Sequence, residues 1–167
     1  MLDTEIIKEW LQRYRDICRD YENLLERYSV LEQKYKSIRT TNLTGMPHGT
    51  SSTTDNIGEG LARLEELSEK IQKQRTLAKE IYQEINDAAF LIQKEKCKNW
   101  ADKKAVLQCR YLDLMSWNDI SELLFGNIDR FWDNEETYLR RTHKLHGAAL
   151  EDLAELMPPE LLKEGII

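Results

Sequence analysis

Trp10, Ile17, Leu24, Leu31 and Ile38 recur every seven residues, and Tyr14, Tyr21, Tyr28 and Tyr35 form a second sevenfold series between them. With Ile7 and the tyrosines at heptad position a, Trp10 and the aliphatic series fall at d. Such an unbroken seam predicts a helix that packs lengthwise against another. At ~1.5 Å per residue the helix runs roughly 50 Å, so its apolar stripe needs an equally long cover. Residues 57 to 92 offer one: Ile57, Leu61, Leu64, Ile71, Ala78, Tyr82, Ile85, Ala89 and Ile92 follow the same alternation. Ser68 and Arg75 interrupt that stripe, while Leu67, Ile81 and Ala88 widen it to a second face.

Residues 40 to 56 are rich in Gly, Ser and Thr and contain Pro47, which predicts a loop. Two long helices joined by one loop make an antiparallel hairpin over residues 1–98. Tyrosine is a broad filler for a two-stranded seam, and its hydroxyl needs a partner or water. The hairpin is therefore expected to meet another copy, giving a homo-oligomer, a dimer or higher. Tyrosines reaching solvent at the edge of a single hairpin are the alternative.

Past residue 98 the long heptads give way to short helices. Asp102 to Tyr111 reads as one, with Ala105, Val106 and Cys109 facing inward. Ser116 is placed to cap a second, Trp117 to Leu124, which Gly126 ends. A third begins near Asn134 or Glu135 and runs to about Leu156, where Met157-Pro158-Pro159 stops it. Its expected buried stripe is Tyr138, Leu145, Ala149, Leu153 and Leu156. The fold class predicted is all-α: a long helical hairpin, a small helix-turn-helix module over 99–157, and a C-terminal tail, 158–167, whose leucines and isoleucines either dock on the core or form a small partner-binding patch.

Charge narrows the function. The chain carries 24 basic against 30 acidic side chains, a net charge of −6. From residue 99 onward there are eight basic and thirteen acidic residues, without the general basic footprint of most DNA binders. Yet Tyr138 to Leu150 holds Arg140, Arg141, His143, Lys144 and His146 and no acid. Arg140, His143, Lys144 and Gly147 share one helix face, with Arg141 on its shoulder. Such side chains can bond phosphates or guanine edges, or can simply form a solvated basic face.

Other classes find little support. No apolar run approaches the ~20 residues of a membrane span, and the opening Met-Leu-Asp-Thr-Glu is unlike a secretory or transit leader. Cys18, Cys97 and Cys109 are odd in number and far apart, which suits a reducing cytoplasm. No metal-ligand spacing, phosphate loop or nucleophile elbow is present, so neither cofactor, metal nor enzymatic activity is expected. His146 reads as a packing or hydrogen-bonding residue and His48 as a loop residue.

Three segments carry a resemblance. Arg110-Tyr111-Leu112 with Ser116-Trp117-Asn118-Asp119-Ile120, then Arg140 through Leu150 with its Leu145-His146-Gly147, and the loop Gly45-Met46-Pro47-His48-Gly49 resemble, in order, motifs of phage-encoded regulators of the ArpU/RinA type. Their C-terminal module looks like region four of bacterial sigma factors. The resemblance implies a phage or prophage DNA-binding transcriptional regulator. Its recognition helix would span Tyr138 to Leu150, with Arg140, Arg141, His143 and Lys144 facing double-stranded DNA. Trp117 and Ile120 would then be core, and Arg110-Tyr111 would close the preceding helix. The chain departs from the family in a longer connection, Phe125 to Asn134, and in Thr142, which replaces a buried Val and can bond its own helix carbonyl. Two other readings stand beside this one: a coiled-coil adaptor gripping RNA polymerase or a virion protein, and a phage DNA-packaging recognition subunit.

Overall fold

A computed structural model describes residues 2–41, 53–93 and 96–163. It is all-helical among the described residues: α1 (Thr4–Thr41), α2 (Thr53–Ala89), α3 (Trp100–Tyr111), α4 (Trp117–Phe125), α5 (Glu135–Leu156) and α6 (Glu160–Lys163). The two long helices pack against each other and the small helices follow, as the heptads and short stripes predict. No described helix is long and apolar enough to cross a membrane. The expected loop loses its ends to helix, because α1 reaches Thr41 and α2 begins at Thr53. Residues 42–52, with Pro47 and His48, lie outside the described residues.

Packing groups 1–16 with 80–167 as one compact unit and 17–79 as another. The division expected near residue 98 thus falls inside the first unit. In the second unit α1 turns its seam inward: Ile17, Tyr21, Leu24, Tyr28, Leu31 and Tyr35 are half-buried. The matching stripe on α2 differs from the sequence reading. Leu61 and Tyr82 are exposed, and the buried or half-buried series are Gly60, Leu67, Gln74, Ile81, Ala88 and Leu64, Ile71, Ala78, Ile85, with Ile92 buried just past the helix. Both series are unbroken heptads. Ser68 and Arg75 never interrupted them; those residues stand on the flank.

Gly60 explains how a tyrosine fits this seam. A Cβ built there would stand 2.2 Å from ring carbons of Tyr35, so the missing side chain makes room for the ring. The misfit expected of tyrosine is relieved at this level within one chain. Gly58, one half-turn earlier, has open space around the same position.

The first unit is built around the starts and ends of the long helices. Ile7, Trp10 and Leu11 from α1 and Ile81, Ile85, Ala88 and Ala89 from α2 are buried with the cores of α3 and α5. The Arg13 guanidinium lies over the Trp10 ring at 4.6 Å and donates to a Glu84 carboxylate oxygen at 2.7 Å. Lys103 of α3 pairs with Asp152 of α5 at 2.5 Å in a mostly shielded position. Helix α5 stops where Pro158 forbids continuation, and Leu162 of α6 is buried. Leu161 is partly exposed, and Ile166 and Ile167 lie outside the described residues.

The two glycines give a matched test. Gly58→Ala should raise stability by about 0.5–1 kcal/mol through helix propensity. Gly60→Leu should lower it by about 1–3 kcal/mol through overpacking against Tyr35. Urea denaturation of both variants checks the pair, and equal effects would contradict the assigned packing.

Candidate nucleic-acid interface

Helices α3, α4 and α5 meet around Val106, Cys109 and Ile120, with Met115, Trp117, Leu124 and Leu145 packed on that cluster. Ser116 caps α4, its hydroxyl accepting from the Asp119 backbone N–H at 3.2 Å. Gly126 follows α4 in right-handed geometry, its N–H donating to the Glu122 carbonyl at 2.7 Å, so no left-handed turn is needed there. Asn134 precedes α5 without a side-chain cap and donates instead to the Arg130 carbonyl.

The motif residues converge. Arg110 donates to the Met115 carbonyl at 3.0 Å and lays its guanidinium over Trp117 at 4.6 Å, fixing the turn between α3 and α4. The Trp117 ring meets His143 at 4.5 Å and His146 at 4.9 Å. The Tyr111 hydroxyl and His146 Nε2 share a buried hydrogen bond of 2.8 Å. Burial pushes the Tyr111 phenol up to about 12, against the pull of Arg110 and Arg15. Burial lowers His146 to about 4, with Lys8, His143 and Arg110 nearby pushing the same way. His146 is therefore a neutral packing and hydrogen-bonding residue.

With His146, Thr142, Ala149, Leu150 and Leu153 buried, the periodicity of α5 turns Arg140, Arg141, His143 and Lys144 outward. Thr142 takes the buried position and donates its hydroxyl to the Tyr138 carbonyl at 3.0 Å, the bond its chemistry suggests. Arg140 forms a solvent-exposed pair with Glu136 at 2.5 Å, weak in water. Arg141 holds its guanidinium 4.8 Å from the centre of the Phe125 ring. His143 leans on Trp117, and Lys144 has no carboxylate partner among the described residues. The four side chains are brought to one surface, little more than one turn long, with Glu135 and Glu136 before it and Glu151 after.

Gly147 lies on the same surface. A Cβ built there meets nothing within 4 Å, so packing does not require a glycine. A helix-interior glycine costs roughly 1 kcal/mol relative to alanine.

The long connection folds as successive turns: Ile128, Phe131 and Asn134 donate backbone N–H groups to the carbonyls of Phe125, Ile128 and Phe131. Phe131 is buried against Tyr138 at 5.3 Å, while Trp132 is 64% exposed. Trp132 borders a cavity of about 270 Å³ with Ser121, Glu122, Glu135 and Glu136. No group of three His, Cys, Asp or Glu side chains among the described residues is arranged to hold a metal ion. No protein-family model, curated protein or solved structure matches this chain.

His146 carries a pH dependence. Its folded-state pKa lies below the unfolded value, so unfolding takes up a proton between about pH 4 and about pH 6.5. Its contribution to stability is complete above about pH 6.5 and is lost progressively from there down to about 4. His146→Phe should flatten this part of the profile of urea midpoint between pH 7 and pH 5. An unchanged slope would show that His146 is not held neutral.

Proposed function

We propose that the protein is a phage or prophage transcriptional regulator, working in the cytoplasm as a self-associated assembly and binding double-stranded DNA through α5. The observation that carries this reading is the roll of α5: its buried face leaves Arg140, Arg141, His143 and Lys144 on one open surface. The resemblance of the Arg110-Tyr111, Ser116-Trp117 and Leu145-His146-Gly147 segments to phage regulators supports it. So does Gly147, whose bare backbone lets a phosphate or sugar come close to the helix. Arg141, oriented on Phe125, suits a planar contact to phosphate or guanine, and Lys144 a point charge on phosphate. Phosphate contacts supply affinity and register, and base contacts supply sequence choice.

A second reading has one observation of its own. Exposed Trp132 beside Glu122, Glu135 and Glu136 offers an aromatic and acidic surface to a basic protein segment, as an adaptor on RNA polymerase would need. Pull-down of polymerase without DNA, lost in Trp132→Ala, would favour it.

Selection of fragments bound by the full-length chain from phage and host genomic DNA tests the main reading. Enriched fragments should share a sequence element. Arg141→Ala and Lys144→Ala should each weaken binding and reduce the salt slope by about one. Gly147→Ala should stabilise the fold by roughly 1 kcal/mol and still weaken binding. Absence of any enriched fragment, or unchanged binding by the Arg141→Ala, Lys144→Ala double variant, would overturn the assignment.

A further inference from the structure

The hairpin segment 17–79 has two unlike flanks. On one, Arg27, Val30, Arg63, Glu66 and Lys70 border a groove, and the α2 charges find partners within their own helix: Arg63 with Glu59 and Lys70 with Glu66. The other flank carries the tyrosines. Tyr28, Tyr35, Leu61 and Leu64 line an open cavity there of about 420 Å³, with Glu65 and Ser68 at its edge. Leu25, four residues after Tyr21 and three before Tyr28, continues the same flank and is 41% exposed; Leu61 is 58% exposed. Arg75, seven residues beyond Ser68, stands on this flank as well.

Glu65 and Arg75 have no ion-pair partner among the described residues. Helical spacing denies them one, since Glu65 has Glu69 and Arg75 has Lys79 four residues on. Their placement is symmetric. Tyr35 stands against Gly60, and Arg27 shares a groove with Lys70, so Leu25 lies at about the level of Lys70. Glu65 and Arg75 are five residues to either side of that level. A twofold axis through the tyrosine flank at Leu25 sets Leu25 against its copy and Glu65 of each chain opposite Arg75 of the other.

We infer that this flank is the self-association surface, and that its occupant is the same flank of a second copy, antiparallel, in a four-helix arrangement. The described helical stretch is about 30 Å long and two helices, roughly 20 Å, wide. It offers about 600 Å² per copy, near the lower bound of specific interfaces. The inference deepens the self-association in the function proposed above. Measuring mass without DNA keeps its failure distinct from that of the DNA reading.

Analytical ultracentrifugation of the full chain, with circular dichroism to confirm helicity, tests it. The wild type should be dimeric at micromolar concentration. Leu25→Glu should raise the dissociation constant on the order of a hundredfold, while Val30→Glu on the other flank should leave it unchanged. Glu65→Arg and Arg75→Glu should each weaken the dimer, and the two together should restore it. A monomeric wild type at tens of micromolar, equal effects of Leu25→Glu and Val30→Glu, or a double swap no better than either single variant would each overturn the proposal.

Discussion

The roll of α5 about its own axis decides what this protein presents to its surroundings. A helix of mixed charge can bury any of several stripes, and the stripe chosen here is fixed by polar contacts as much as by apolar ones. His146 bonds Tyr111 and packs on Trp117, and Thr142 returns its hydroxyl to the helix backbone. A buried imidazole or hydroxyl without a partner costs more than a misplaced methyl group, so these bonds set the register more sharply than Leu145 or Leu153 alone. Once they are made, the 3.6-residue repeat leaves Arg140, Arg141 and Lys144 no inward alternative.

The same cluster shows why short motifs persist as units. Arg110 closes the α3–α4 turn through the Met115 carbonyl and shields Trp117, which in turn stacks on two histidines of α5. Burial lowers the proton affinity of Arg110 only in degree; a guanidinium stays charged, and here it is spread over a ring and a carbonyl. Residues far apart in the sequence thus belong to one object, which ties the supporting helix to the outward-facing one. The tie is structural, and His143 belongs both to it and to the outward-facing surface.

Much of this was legible in the sequence, and the failures have physical reasons. The α1 seam was readable because all of its members are apolar or aromatic. The α2 seam was readable in part: Leu64, Ile71, Ala78, Ile85 and Ala89 lay on the expected stripe and Leu67, Ile81 and Ala88 on its second face, but Gly60 and Gln74 carry no hydropathic signal although they occupy the register. Leu61 and Tyr82 drew the reading onto the flank. The bounds of α3, α4 and α5 fell within two residues of expectation, since Ser116 and Pro158 act locally. The packing of Ile7, Trp10, Leu11, Ile81 and Ile85 with the small helices was hidden, because a heptad reads the same whichever element covers it. In the candidate site, the outward position of Arg140, Arg141, His143 and Lys144 followed from spacing, whereas the hold of Phe125 on Arg141 and of Trp117 on His143 is tertiary and leaves no periodic trace.

An acidic chain that approaches DNA must do so over a short range. At physiological salt the field of a surface charge decays over about 8 Å, well short of the roughly 22 Å, about four helical turns, that separate Glu136 from Glu151. The net charge of −6 therefore repels a duplex only weakly beyond that decay length, while the surface at Arg141 and Lys144 attracts it on contact. Such a surface gains little from long-range steering and holds poorly to arbitrary sequence, because few phosphates are neutralised. Under the proposed reading, discrimination would rest on direct base contacts, and useful affinity on engaging two sites at once. Linking two modules through an assembly raises the effective concentration of the second without any further contact. If the chain self-associates as inferred, its long helices would supply the link that so short a basic surface needs.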